Sequence, residues 1–242
     1  MYKEKLFKLL FISVLIPLSI YLFILVPFSS FIDTKLISNI NFFAWSSMGL
    51  IIFSAFIMSI FVVSLESNRV RNLDYFASLY VSKISVFDIG CSMIFWSMLI
   101  TFFQFLASMT ISLALVPEFS ISIVDFFIFL FLSLSVSFFF CSFFVMIYIV
   151  FSDSIFSKII ITIFLVFFFG FGTGLFIPAT EEYYTIEYMS ILDKIPIKGM
   201  IENFQSIVLN KEIFYFNTAI LILISVMFSS ISIYFLDKRN IR

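Results

Sequence analysis

The sequence predicts an all-α integral membrane protein that crosses the bilayer about six times, and two observations carry this expectation. The chain has 242 residues, of which 62% are hydrophobic and 12% charged, whereas a soluble domain is about 45–50% apolar and about 25% charged. The charges leave six long charge-free runs, and a helix of about 20 apolar residues crosses a membrane. The runs are apolar on all faces, which excludes the polar–apolar alternation of a membrane β-barrel.

We expect one transmembrane domain over residues 1–242. Its six spans have the approximate bounds 9–28, 42–65, 89–115, 126–151, 158–178 and 213–235. The first run follows Lys3, Lys5 and Lys8, as in a secretory signal. Its apolar stretch exceeds the usual length of about 7–15 residues and no small-x-small cleavage site follows it, so we expect it to be a retained span.

The basic residues outside the spans predict the orientation. Ten of the 14 fall on the side that holds both termini and the segments 66–88 and 153–158. Since cytoplasmic loops carry the excess of Lys and Arg, we expect both termini in the cytoplasm. We expect the chain to lie in a cell membrane that it crosses several times, specifically a prokaryotic plasma membrane.

Two connections are long enough to form helices of their own. In segment 66–88, Leu73, Phe76, Tyr80 and Ile84 recur at helical spacing, which predicts a short amphipathic helix at the cytoplasmic surface. This helix either lies on lipid head groups or docks a cytoplasmic partner.

The second connection, residues 179–212, contains Pro196, a residue suited to the first turn of a helix. The apolar stripe that follows comprises Ile197, Met200, Ile201, Phe204, Ile207 and Val208. The opposite side of this helix carries Lys198, Glu202 and Asn203. We expect an amphipathic helix that lies at the outer interface.

A glycine cluster marks the outer end of the fifth span, where Gly170, Gly172 and Gly174 precede Pro178. The spacing of Gly170 and Gly174 permits close helix packing, and the cluster before the proline equally suits a helix bend or end. We favour packing or a break over direct contact with a substrate.

Gln104 is the most polar deeply placed side chain, in the middle of the third span. It can hydrogen-bond a neighbouring helix, which is the default, or line a pathway.

The sequence offers little chemistry to a catalyst or an ion-coupled pump. It has no histidine, and the charge-free runs contain no acid or base. Asp88 and Asp125 lie at span edges, and Cys91 and Cys141 lie inside spans as small packing residues. No G-x-x-x-x-G-K-[ST] loop occurs. We therefore expect no enzyme, metal or cofactor in this chain, and nothing indicates a nucleic-acid partner.

At this point the layout resembles the six-span permease subunits of type-2 ABC exporters. In that family a Glu and basic residues follow the second span and lead through a coupling helix into the third, and Glu66, Arg69 and Arg71 occupy that place. The GTGLFIP end of the fifth span, Pro196 and the basic tail 236–242 are similar to further family features.

The resemblance implies a dimer of identical or different permeases around one pathway in membrane lipid. Each permease would contact a cytoplasmic ABC ATPase that binds ATP and Mg. It also implies a coupling surface formed by Glu66, Arg69, Arg71, Asp74 and Lys83. An alternative stays open, namely a non-transporting membrane interaction protein such as an assembly factor or a toxin-immunity subunit.

Overall fold

A computed structural model describes residues 2–29, 35–37, 40–70, 84–116, 119, 121–150, 155–173, 175–176, 191, 194–209 and 213–240. The helices are α1 (Tyr2–Ile20), α2 (Val26–Ser29), α3 (Phe42–Val70), α4 (Val86–Leu115), α5 (Ile123–Val150), α6 (Ile155–Phe167), α7 (Pro196–Leu209) and α8 (Tyr215–Asn240). A π-helical turn, Tyr21–Leu25, joins α1 to α2, and a second, Phe168–Gly172, extends α6. Strands β1 (Lys35–Ile37) and β2 (Ile40–Asn41) form a short antiparallel pair.

Helices long and apolar enough to cross a membrane dominate the fold. They cover Phe11–Ser29, Phe42–Val70, Val86–Leu115, Ile123–Val150 and Tyr215–Lys238. The predicted all-α, multi-pass membrane fold is therefore confirmed.

The helix at the fifth predicted span, 158–178, is shorter than the others. Helix α6 has 13 residues and its π turn five, which together extend about 27 Å, close to the hydrocarbon thickness of about 30 Å. Gly170 and Gly172 weaken the helix here, because glycine loses more backbone freedom than other residues. Thr173 then leaves the helical conformation, with φ −102° and ψ 3°.

Helix α3 forms the centre of the bundle. In its most apolar part 72% of the residues are buried, against 17% in Phe11–Ser29 and in Tyr215–Lys238. It packs against α1, α4, α5, α7 and the second π turn. Large apolar side chains such as Phe23, Phe164 and Phe216 instead point away from the bundle, as contact with lipid tails requires.

Phenylalanine rings fill the core around α3. Phe56 stacks on Phe169, with ring centroids 4.4 Å apart and planes 3° from parallel. Phe140 and Phe144 meet the Phe56 ring edge-on, each with ring centroids 5.3 Å apart. Such pairs add about 0.5–1.5 kcal/mol each beyond the burial of their area. Many phenylalanines of this chain therefore hold helices together and do not simply face lipid.

Two glycines allow the backbone near the second π turn to approach α3 closely. A Cβ added to Gly49 would lie 2.6 Å from the carbonyl oxygen of Leu175 and 2.9 Å from Cδ1 of Phe176. A Cβ on Gly170 would lie 3.1 Å from the ring of Phe53. The residues after the π turn therefore pack directly on the backbone of α3.

Helix α7 begins at Pro196, as predicted, but it packs more deeply than a helix lying on a surface. Phe204 stacks on Phe105 of α4 at 5.7 Å and meets Phe129 of α5 edge-on at 5.7 Å. Phe105 lies ten residues before the end of α4, which is about 15 Å along the helix axis. Helix α7 therefore inserts between the helix ends on the side that the sequence predicts to be outer.

The polar side of α7 also differs from the expectation. Glu202 is exposed, whereas Lys198 and Asn203 are buried. The Asn203 amide nitrogen donates to the carbonyl of Phe214 (3.0 Å), and its Oδ1 accepts from the N–H of Phe214 (2.9 Å). Burial is tolerated because Asn203 satisfies backbone groups just before α8. Lys198 is compensated by Glu202, with 3.5 Å between the charged atoms.

Candidate functional site: a buried polar stripe in the membrane core

Five polar side chains form a stripe along one face of α4. They are Ser97, Thr101, Gln104, Ser108 and Ser112, three or four residues apart, and each is at most 1% exposed. This spacing places them one above the other on the helix. At 1.5 Å per residue the stripe is about 22 Å long, most of the hydrocarbon thickness of about 30 Å.

The stripe faces the interior of the bundle and contacts three other helices. Gln104 reaches α1, Ser108 hydrogen-bonds Ser54 of α3, and Thr101 lies against Cys141 of α5, with Oγ1 and Sγ 3.4 Å apart. These contacts place the stripe at the junction of α1, α3, α4 and α5.

Gln104 compensates for a proline in the neighbouring helix. Its Nε2 donates to the carbonyl oxygen of Ser13 (3.0 Å) and to Ser108 Oγ (3.1 Å). In a regular helix the Ser13 carbonyl would accept from the N–H of residue 17, but residue 17 is a buried proline and has no N–H. Gln104 thus supplies the donor that Pro17 lacks, as neighbouring helices do for prolines within membranes.

A second departure from regular helical geometry follows α1. The π turn Tyr21–Leu25 begins four residues after Pro17, and π turns interrupt the normal hydrogen-bond pattern of a helix. The chain is therefore irregular both at Pro17 and directly after α1.

Three stripe atoms have no hydrogen-bond partner within the described residues: Ser97 Oγ, Gln104 Oε1 and Ser112 Oγ. The orientation of the Gln104 amide follows from its contact, because a carbonyl oxygen accepts only and the nitrogen must face Ser13. Oε1 is then left on the other side. Buried polar groups in proteins are nearly always paired, so these three atoms differ from the hydrogen-bonded polar atoms of Thr101, Ser108 and the Gln104 amide nitrogen.

The stripe can bind but does not contain a catalytic set. Its side chains are neutral hydroxyls and one amide, which suit uncharged hydrogen-bonding groups and not ions. Among the described residues no group of three or more His, Cys, Asp and Glu could hold a metal ion.

The two acids at the span edges take structural positions in the described chain. Ser85 and Asp88 form a capping box at the start of α4. Ser122 Oγ donates to Asp125 Oδ2 (2.6 Å) at the start of α5. Each carboxylate lies in a first helical turn, where the helix dipole favours negative charge.

The residues of the expected coupling surface are only partly described. Glu66 and Arg69 lie in the last turns of α3, with 3.8 Å between Glu66 Oε2 and Arg69 Nη1. Arg71, Asp74 and Lys83 lie outside the described residues, as does most of the predicted amphipathic helix within 66–88.

The structure places three of the five predicted packing or break residues. Gly170 lies against Phe53, and Gly172 ends the second π turn. Pro196 is the first residue of α7. Gly174 and Pro178 lie outside the described residues.

Sequence reasoning named Gln104 but not its partners. Pro17 inside a charge-free run is a signal for an unpaired carbonyl four residues earlier, at Ser13. The sequence does not indicate which helix supplies the donor. The spacing of Ser97, Ser108 and Ser112 around Gln104 could have identified the stripe.

Taken together, the described residues are those of a multi-pass membrane protein with a polar stripe in its core. No protein-family model, no curated protein and no solved structure matches the chain.

Proposed function

We propose that the chain is the permease subunit of an ATP-driven ABC exporter in a prokaryotic plasma membrane. It would work as a dimer and take energy from a separate cytoplasmic ATPase that binds ATP and Mg. The proposal rests on the layout of charges and spans in the sequence and on the position of α3.

The position of α3 is the observation that carries the proposal. Its 29 residues extend about 44 Å, longer than the hydrocarbon thickness of about 30 Å. It packs against α1, α4, α5 and α7. The Arg69 side chain at its end is 52% exposed. A force applied after Val70 would therefore reach the centre of the bundle through one continuous helix.

The mechanism that follows needs no chemistry in this chain. ATP-driven closure of the ATPase pair would push on segment 66–88, and α3 would tilt against its neighbours. Charged side chains suit this contact, because charge-assisted hydrogen bonds are strong and directional. Glu66, Arg69 and Arg71 would then transmit force, with Asp74 and Lys83 further along the segment.

Charge reversal tests the coupling surface. In Arg69→Glu/Arg71→Glu we expect about 5- to 30-fold weaker binding of the ATPase to the tagged chain, because two contacts of about 0.5–1 kcal/mol each are lost. The measurement is co-purification of a span-free ATPase with a G-x-x-x-x-G-K-[ST] loop, followed by ATP hydrolysis in lipid vesicles.

Two controls separate docking from folding. Lys238→Glu reverses an exposed charge at the end of α8 and should retain the ATPase. The double variant Glu66→Arg/Arg69→Glu keeps the ion pair between positions 66 and 69 with the two charges exchanged. If Arg69 has only a structural role, this variant should retain the ATPase. If Arg69 docks the ATPase, retention should stay low. Normal retention in the Arg69→Glu/Arg71→Glu chain would refute the coupling assignment. Absence of any such ATPase would favour the non-transporting interaction protein.

A further inference from the structure

A polar cavity lies between the start of α7 and the start of α8. Its volume is about 330 Å³, within the range of about 300–1,000 Å³ that is typical of ligand pockets. Four polar or charged side chains line it, namely Lys194, Lys198, Glu202 and Asn217. None of its lining residues belongs to α4, so the cavity is separate from the polar stripe and has room for a ligand.

The described charges that line the cavity sum to one positive charge. Lys198 lies 3.5 Å from Glu202, so these two charges balance. Lys194 is exposed and forms no ion pair with another described residue. The cavity therefore favours a ligand that carries one negative charge.

Gly199 makes room for the Asn217 amide at the cavity. A Cβ added to Gly199 would overlap Nδ2 of Asn217, so any larger residue would displace this amide. The backbone N–H of Asn217 donates to the carbonyl of Phe214 (3.2 Å), whereas its side chain forms no hydrogen bond with a described residue. The side-chain amide has two N–H donors and can therefore donate to an anionic oxygen within the cavity.

The position of the cavity along α8 matches the level of lipid head groups. A hydrocarbon thickness of about 30 Å corresponds to about 20 helical residues. Counted back from Asp237, the first charged residue at the far end of α8, this length reaches Asn217. Phe214, Tyr215 and Phe216 directly precede Asn217 and are each more than half exposed. Tyrosine is enriched at the membrane interface, so we expect the cavity to open beside the head groups.

We propose that this cavity binds the phosphate of a phospholipid head group with a net charge of −1, in the leaflet at the Tyr215 end of α8. Lys194 compensates the charge of the phosphate, and the Asn217 amide donates to one of its oxygens. A zwitterionic head group would leave the positive charge of the cavity uncompensated. The site lies within one copy of the chain and needs no ATPase, so its test is independent of the proposed exporter function.

A lipid titration tests the site. The full-length chain in an uncharged detergent is titrated with phosphatidylglycerol, of net charge −1, or with zwitterionic phosphatidylcholine. Affinity follows from the rise in melting temperature with lipid concentration. We expect phosphatidylglycerol to bind at least about fivefold more tightly, which is the effect of one charge near an anionic lipid. Equal affinity for the two lipids would overturn the proposal.

Inorganic phosphate distinguishes a lipid head group from a free anion, because it carries the charge without acyl chains. At the same concentration it should raise the melting temperature far less than phosphatidylglycerol does. If it stabilises the chain as strongly, the cavity is a site for free phosphate and the proposal is wrong.

The variant Lys194→Gln removes the uncompensated charge from an exposed side chain. We expect it to weaken phosphatidylglycerol binding about fivefold. Lys238→Gln is the matched control, because it removes an exposed lysine at the opposite end of α8, and it should leave the affinity within about twofold of the native value. Equal weakening by both variants would show that only the overall charge attracts the lipid, which would overturn the proposal.

The variant Gly199→Ala changes the shape of the cavity and keeps its charges. It should displace the Asn217 amide and weaken phosphatidylglycerol binding. A folded Gly199→Ala chain that binds the lipid as the native chain does would contradict the proposed position of the site. Lys194→Gln covers the case in which Gly199→Ala does not fold, since Lys194 is exposed.

Discussion

The substitution Gly49→Leu is expected to unfold the helix bundle. A Cβ at Gly49 would lie 2.6 Å from the carbonyl oxygen of Leu175, and backbone cannot move aside as a side chain can. Gly49→Ala should cost about 1–3 kcal/mol, as overpacking of a close-packed core does. Gly49→Leu adds three more heavy atoms to the same contact, and we expect a cost of about 4 kcal/mol or more.

The measurements are the fraction of monodisperse protein in detergent and its melting temperature. Gly90→Ala is the comparison variant, because its Cβ would meet Cγ1 of Ile233 at 2.8 Å, a side-chain atom and not backbone. We expect Gly90→Ala to destabilise the chain less than Gly49→Ala does. Equal effects of the two alanine variants would show that Leu175 does not pack on α3 as described.

Gln104→Leu is expected to destabilise the chain by about 1–2 kcal/mol, the upper range for hydrogen bonds between membrane helices. The Ser13 carbonyl then has neither the amide of Gln104 nor an N–H at residue 17. Pro17→Ala restores that N–H. Gln104→Leu should therefore cost about 1 kcal/mol less in the Pro17→Ala background than in the native one.

The measurement is the free energy of unfolding of the native chain, Gln104→Leu, Pro17→Ala and the double variant. These four values give the coupling energy between positions 104 and 17. Thr110→Val serves as a control, because its exposed hydroxyl donates to the carbonyl of Leu106 on its own helix (2.8 Å). It should change stability little in either background. If Gln104→Leu costs the same with proline or alanine at position 17, Gln104 does not compensate for Pro17.

Much of the fold was predictable from the charge-free runs. The bounds of α3, α4, α5 and α8 follow them because a bilayer selects for length and apolarity, both of which are local properties of the sequence. The start of α7 at Pro196 was also predictable, since proline prefers the first helical turn. The end of the helical segment at Gly172, directly after α6, was less predictable. Gly170 and Gly172 were compatible both with close helix packing and with a helix break.

The candidate site was predictable only in part, since its geometry depends on which helices meet. Gln104 stood out as a deep polar residue, but its contact with Ser13 is made across 91 residues of sequence. Asn203 shows the same limit, because helical spacing placed it opposite the apolar stripe of α7. Asn203 is buried because it bonds the backbone of Phe214. Phe214 lies beyond the end of α7, so the helical pattern of α7 gives no sign of this contact.

The bond between Asn203 and Phe214 has a consequence for the order of assembly. Helix α7 is synthesised before α8, and its buried amide finds both of its backbone partners only once Phe214 has been added. By that point the ribosome has already made α3 and α5, against which α7 also packs. We therefore expect a nascent chain stopped before Phe214 to leave α7 open to protease, so that the end of the bundle that holds α7 closes only after translation has reached α8.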